Sequence, residues 1–219
     1  MTKESVRLAM SKGSVREETA RILDEIIEDP ATVTALLHPL GFVCFPLERD
    51  GESGVCIHAW EPDLWRLLPL PTLTTSQIHS HSWELVSCVL YGTVCNKVLD
   101  VVDVDNGPEF RVAEIHNGEA GIDMIHPIDR WVRSSVAATE WHAAGEIYRL
   151  DAGVFHTTSV EGAAATLAFG RGVRGAVDLS LTGLDAAVHS IARTRCDPET
   201  TARLARSVRE RIPHGVMPQ

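Results

Sequence analysis

No Cys-x-x-Cys pair occurs anywhere in the 219 residues, and the cysteines number five. That pattern argues against a disulfide framework or a zinc ribbon. Cys44, Cys56, Cys88 and Cys95 sit in strand-like apolar runs, as reduced, buried thiols do in a cytoplasmic protein. No apolar run approaches the ~18 residues that a membrane span requires. Met1-Thr2-Lys3-Glu4 has no apolar stretch of the kind that opens a signal peptide, so the expected location is the cytoplasm, without a membrane partner. Basic charge is scarce: 20 Lys and Arg stand against 30 Asp and Glu, a net charge of −10. General nucleic-acid binding is therefore not expected, because phosphate contacts need a basic surface. There is no internal repeat and no low-complexity segment.

What remains is an ordinary globular composition, 44% hydrophobic and 23% charged, at a length that argues for one domain with helical appendages. Residues 1–40 read as a helical lead. Ser14 is placed to cap a helix with Glu17 three residues on, and Ala20, Leu23, Ile26 and Ile27 follow at helical spacing. Pro30 is placed to open a second short helix containing Val33, Leu36 and Leu37.

From 41 to 180 the texture is short β-branched or aromatic runs between Gly, Pro, Asn and Asp. Predicted strands cover 42–45, 55–60, 85–91, 93–104, 110–116, 121–126, 131–137, 145–150, 154–160 and 164–169, with a hairpin turn at 50–54 and a loop at 62–75. Strands at this spacing predict an antiparallel sandwich or barrel. Residues 181–219 read as a helical tail, with helices at 185–195 and 198–211. The second carries Leu204, Val208 and Ile212 on one face and Arg203, Arg206, Arg209 and Arg211 elsewhere, either solvated or paired with the acidic body.

The sharpest feature is Ile78-His79-Ser80-His81-Ser82-Trp83-Glu84. In a strand, residues two apart share a face, so His79 and His81 present two imidazoles together. Two imidazoles with a further donor suit a first-row divalent metal. His156 supplies a third, at the end of Gly145–His156. His58, His116, His126 and His142 read as structural, and His38, His189 and His214 carry no evident chemistry.

With both segments in view, the chain resembles the cupin superfamily of small metal-carrying β-barrels. The second cupin motif fits from Gly145 through Gly153 to His156, with Asp151 in its proline position and Val160 in its asparagine position. The first fits at His79, His81 and Gly92. The resemblance implies a mainly β fold: one cupin (double-stranded β-helix, jelly-roll) barrel with helices at both ends. It also implies a divalent metal on His79, His81, Glu84 and His156.

Glu84 is out of phase with that motif, because counting back from Gly92 puts Leu85 at the ligand position. A one-residue slip turns a strand side chain to the other face unless a bulge corrects it. Two readings stay open: Glu84 as fourth ligand, or a three-histidine site with Glu84 beside it, where it becomes a candidate base. Tyr148 joins Glu84 as a catalytic candidate, with lumen-facing and core-packed positions both open; Arg149 has the opposite parity.

Within the cupins the order of hairpin, Val55–Trp60 and Gln77–His81 is similar to that of cysteine dioxygenase-type thiol dioxygenases. The resemblance implies Fe(II), O2 and a small anionic, amino-acid-like substrate whose carboxylate meets an arginine of the hairpin, Arg49. Val86 and Val173 stand near where that family has its cysteine–tyrosine crosslink, so the oxygenase class carries over and the substrate does not. Arg171 and Arg174 are further candidates for an anion site at the barrel mouth. The alternatives are a non-redox isomerase or lyase on Zn, Mn or Ni, and a small-molecule-binding barrel without catalysis. Terminal helices and free strand edges are compatible with a homodimer.

Overall fold

Strand-forming residues account for most of the chain between Leu36 and Arg195. In the computed structural model, which describes residues 14–49, 53–62, 68, 71–118 and 121–213, they build β1 (Leu36–His38), β2 (Phe42–Arg49), β3 (Ser53–Trp60), β4 (His79–Ser80), β5 (Trp83–Tyr91), β6 (Thr93–Asp103) and β7 (Phe110–Asn117). The series continues with β8 (Ile122–Ala143), β9 (Ile147–Leu150), β10 (His156–Val160), β11 (Ala164–Gly172), β12 (Asp178–Thr182), β13 (His189–Ala192) and β14 (Thr194–Arg195). Helices α1 (Val15–Glu28) and α2 (Pro198–Arg211) flank them.

The strands form two seven-stranded antiparallel sheets. The first runs β14-β1-β2-β3-β11-β5-β9, and the second β13-β8-β6-β10-β4-β12-β7 with β7 also paired to β8. The fold is mainly β with helices at both ends, as the cupin resemblance implies.

Alternation along β2 and β3 decides how the layers stack. Val43, Phe45, Val55, Ile57 and Ala59 point to one face of the first sheet and pack against Leu23 and Ile26 of α1 and Leu204 and Val208 of α2. Burying each larger side chain contributes about 1.5–3 kcal/mol. The intervening residues Cys44, Pro46, Cys56 and His58 turn the other way and line a cavity between the sheets. The main apolar core thus lies between sheet and helices, outside the lumen.

Polar contacts fix the helices. Asp197 caps α2 by accepting the Thr200 N–H at 2.7 Å, with Pro198 in the first turn. Arg209 pairs with Asp24 of α1 at 2.9 Å and Arg211 with the fully buried Glu61 at 3.1 Å, so these two arginines of α2 pair inward. Ser14 stands at the N-cap of α1 but makes no side-chain cap bond.

Several expectations are corrected. Residues 185–195 are not helical: β13 pairs with β8 and β14 with β1, so tertiary pairing overrides the local helix preference of this alanine-containing stretch. No helix follows Pro30; Leu36–His38 is a strand against β2. The runs at 121–126 and 131–137 belong to one 22-residue strand, β8, whose ladder with β7 shifts register between Arg111 and Ala113, beside Pro127. Strand β12 was absent from the predicted set. The turn residues 50–52, most of 63–70 and His214 lie outside the described residues.

Gly92 closes the β5–β6 turn at φ +75, and a Cβ there would sit 2.4 Å from the Ala163 carbonyl oxygen. The glycine of the first motif is thus required both by backbone conformation and by space.

Candidate metal centre

Strand β4 is only two residues long, because after Ser80 the chain leaves the second sheet and enters the first as β5. The crossing is pinned on both sides. Ser82 N–H donates to Asp178 Oδ1 at 2.6 Å, Gly153 N–H to the His81 carbonyl at 2.8 Å, and Val173 N–H to the Ser82 carbonyl at 2.9 Å. This brings His81 round beside His79. His156 opens β10 directly opposite His79 in the antiparallel register. The three rings meet with centroid separations of 4.8 Å (His79–His81), 4.4 Å (His79–His156) and 5.1 Å (His81–His156).

Their hydrogen bonds select a tautomer. A carbonyl oxygen only accepts, so Nδ1–H of His79 donates to the Gln77 carbonyl at 2.9 Å and Nδ1–H of His156 to the Val154 carbonyl at 3.0 Å. Each Nε2 is left as a lone-pair donor, the arrangement usual for metal-bound histidine. Burial, reinforced by each ring's repulsion of its neighbour, lowers all three imidazoles to a pKa of about 3. They are therefore neutral at physiological pH, as ligation requires. Their ligand nitrogens lie within 4.8 Å of one another. Three neutral, convergent imidazoles on the wall of a cavity fit a divalent first-row metal.

The cavity holds about 320 Å³ and is bordered by the triad, Asp178, Tyr148, Leu85, Leu150, Trp83, Arg49 and Arg193 among others. Tyr148 lies in its wall, only 7% exposed and stacked on His142 with centroids 4.5 Å apart. Burial raises its pKa, which keeps the phenol protonated and able to donate. The Arg49 guanidinium lies 5.5 Å from the centre of the Trp83 ring.

Glu84 is not part of the cluster. Leu85 pairs with Leu150 and Val86 with Arg149, so Glu84 shares the face of Val86, opposite to the lumen. Its carboxylate accepts from Arg149 at 3.2 Å instead. The bulge in β5 falls at Leu90, beyond Glu84, and leaves the carboxylate on the outer face, so the histidine-only arrangement is the one the geometry supports. Arg171 is likewise outside the cavity wall: it pairs in register with Glu84, while its neighbour Gly170 faces inward against Trp83.

Asp178 and Arg193 are among the charged residues of the cavity that escaped the sequence reading. Asp178 lies on β12, a strand not predicted, and holds the His81 turn. Arg193, whose Nε donates to Asp123 Oδ2 at 2.7 Å, lies in a segment read as helix, where it had no reason to face a lumen. The alternation Asp178-Leu179-Ser180-Leu181 is the one local signal that pointed to a strand there.

No protein-family model matches the chain, and no curated protein does. Solved structures do. A cupin-2 domain protein from Shewanella frigidimarina is 12% identical, with a TM-score of 0.30, over 58% of this chain and 78% of the other. A hydroquinone 1,2-dioxygenase from Sphingomonas sp. TTNP3 with bound 4-hydroxybenzoate is 14% identical, TM-score 0.33, over 60% and 65%. A hydroquinone 1,2-dioxygenase in complex with Cd2+ and 4-hydroxybenzonitrile is 11% identical, TM-score 0.33, over 59% and 63%. The chain spans less than two thirds of either dioxygenase chain. What the lumen does must be read from its own side chains.

Proposed function

We propose that the chain is a non-heme Fe(II) oxygenase that oxidises a small anionic, amino-acid-like substrate with O2 inside the barrel. The observation that carries this reading is the convergence of three neutral imidazoles, His79, His81 and His156, on one cavity wall. Three protein ligands on one side of an ion leave positions open on the other. Bound Fe(II) supplies the electrons and the adjacent open positions that O2 chemistry needs.

The chain's own groups have separate tasks. The backbone carbonyls of Gln77 and Val154 hold two of the rings in the ligating tautomer. Arg49 receives the substrate's carboxylate at the cavity wall, its guanidinium kept in place against Trp83. Tyr148 keeps its proton, its hydroxyl set among Ser87, Asn96 and Thr166, and its place in the cavity wall makes it the candidate to orient the substrate. Leu85, Leu150 and Phe42 restrict water in a cavity of about 320 Å³, near the lower end of the range of about 300–1,000 Å³ typical of small-ligand sites.

The test is elemental analysis of untagged protein purified without added metal, followed by oxygen-uptake screens with small thiol, amino and phenolic acids. About one iron per chain, lost in His156→Ala, with uptake on one of these acids, is expected. Zinc, manganese or nickel lost in the same variant, with activity under nitrogen, would replace the oxygenase by a Lewis-acid enzyme.

A further inference from the structure

We propose that Cys44, Cys56 and His58 form a second metal site, for zinc, in the wall of the same cavity. They are the only other cluster of three such side chains among the described residues, with ligand atoms within 4.8 Å of one another.

The strand register makes the cluster. Cys44 on β2 lies directly opposite His58 on β3, and Cys56 stands two residues before His58 on the same face. All three line the cavity, whereas their neighbours Val43, Phe45, Val55 and Ile57 are buried against the helices. Cys56 Sγ lies 3.0 Å from His58 Nε2. Zn–S bonds of about 2.3 Å and Zn–N bonds of about 2.0–2.1 Å imply tetrahedral edges of about 3.6–3.8 Å. Shifts of about 1 Å or less in flexible side chains reach those edges from the spacing observed.

The surroundings favour an ion over a bare thiol pair. The His58 ring is held by Phe42, at 4.6 Å between centroids, and Phe42 in turn stacks on His38 at 4.4 Å and 7°. A ring fixed in this way is pre-oriented for ligation. Two thiols and one imidazole are a soft donor set that selects zinc, whereas the all-imidazole triad suits iron. Binding of Zn2+ displaces two thiol protons, and the resulting pair of thiolates balances the ion's charge. Three protein ligands leave the fourth position for water or a ligand from the lumen, as in catalytic zinc sites. The cavity thereby offers two metals of different softness to one occupant.

Cobalt titration of chelator-treated protein tests this independently of the oxygenase reading, because thiolate-to-cobalt charge transfer marks only the sulfur site. Wild type is expected to take up two equivalents and show the charge-transfer band. His156→Ala should keep one equivalent and the band. Cys44→Ser and Cys56→Ser should each lose the band and retain the other equivalent. In wild type, which avoids any folding defect, Zn2+ should slow alkylation of Cys44 and Cys56 at least tenfold. Saturation of wild type without the band, alkylation rates unaffected by Zn2+, or a Cys44–Cys56 disulfide in freshly purified protein would overturn the proposal.

Discussion

His79 and His156 face each other directly across the β4–β10 ladder, with ring centroids 4.4 Å apart. The expected outcome is that His79→Ala and His156→Ala each lose the triad's metal, whereas folding is kept because neither ring belongs to an apolar core cluster. Metal per chain and the far-ultraviolet circular dichroism of each variant check this. Full metal content in both would remove the triad as the site.

Glu84 supplies the contrasting case. Its partner is Arg149 on the outer face, and both are partly exposed. Such pairs contribute about 0–1 kcal/mol. Glu84→Gln should therefore retain the triad's metal and shift stability by no more than about 1 kcal/mol. Metal loss in this variant would restore the carboxylate to the ligand set.

The triad also predicts a pH dependence for metal-free protein. Each imidazole has a pKa of about 3 in the fold and about 6.5 in the unfolded chain. Between these values the unfolded chain binds more protons, so stability is complete above about pH 6.5 and declines as the pH falls toward about 3. Urea midpoints of chelated protein at pH 7, 5.5 and 4.5 should fall in that order. The slope should be shallower in His156→Gln, which has lost one of the groups. Equal midpoints would place the three rings in a wetter setting than the cavity provides.

Away from the lumen, Glu61 is fully buried and binds Tyr91, Ser207 Oγ at 2.8 Å and Arg211 Nε at 3.1 Å. It joins the barrel to α2. Glu61→Ala leaves the Tyr91 hydroxyl without its partner while Arg211, 40% exposed, can turn to solvent, and should cost about 1–3 kcal/mol. Glu61→Gln, which keeps hydrogen bonds to Tyr91 and Ser207, should cost less. Chemical denaturation of the two variants orders them.

Gly92→Ala tests the turn. With φ at +75 and the Ala163 oxygen 2.4 Å from the added methyl, the β5–β6 connection must move. The melting temperature should drop by several degrees at least, as about 1–3 kcal/mol of strain would give. An unchanged melting temperature would mean that the turn relaxes freely.

The barrel and its triad were legible because their signals are local. Parity counted in the sequence put His79 and His81 on one face, although His81 lies past the two-residue β4 and is brought round by the turn; motif order supplied His156, and the phase counted from Gly92 left Glu84 open between ligand and neighbour. The helical stripe of Leu204, Val208 and Ile212 identified α2 for the same reason. What escaped depends on distant partners. β13 and β14 are edge strands of four and two residues whose existence rests on β8 and β1. Arg193 and Asp178 reached the cavity only through strands the local pattern did not announce. Cys44 and Cys56 read as ordinary buried thiols, because cross-strand register, which faces them toward His58, is not written in either strand alone.

The division of labour across the first sheet has a consequence for how such a lumen changes over time. Residues facing α1 and α2 form the larger apolar cluster, and Trp60, Val89, Tyr148 and Leu150 form a smaller one on the cavity side. Replacing Pro46 or Leu85, neither of them fully buried, would therefore reshape the space around the triad while the helix-backed layer continues to specify the fold. New specificities are within reach of single substitutions that selection for foldedness alone would not remove.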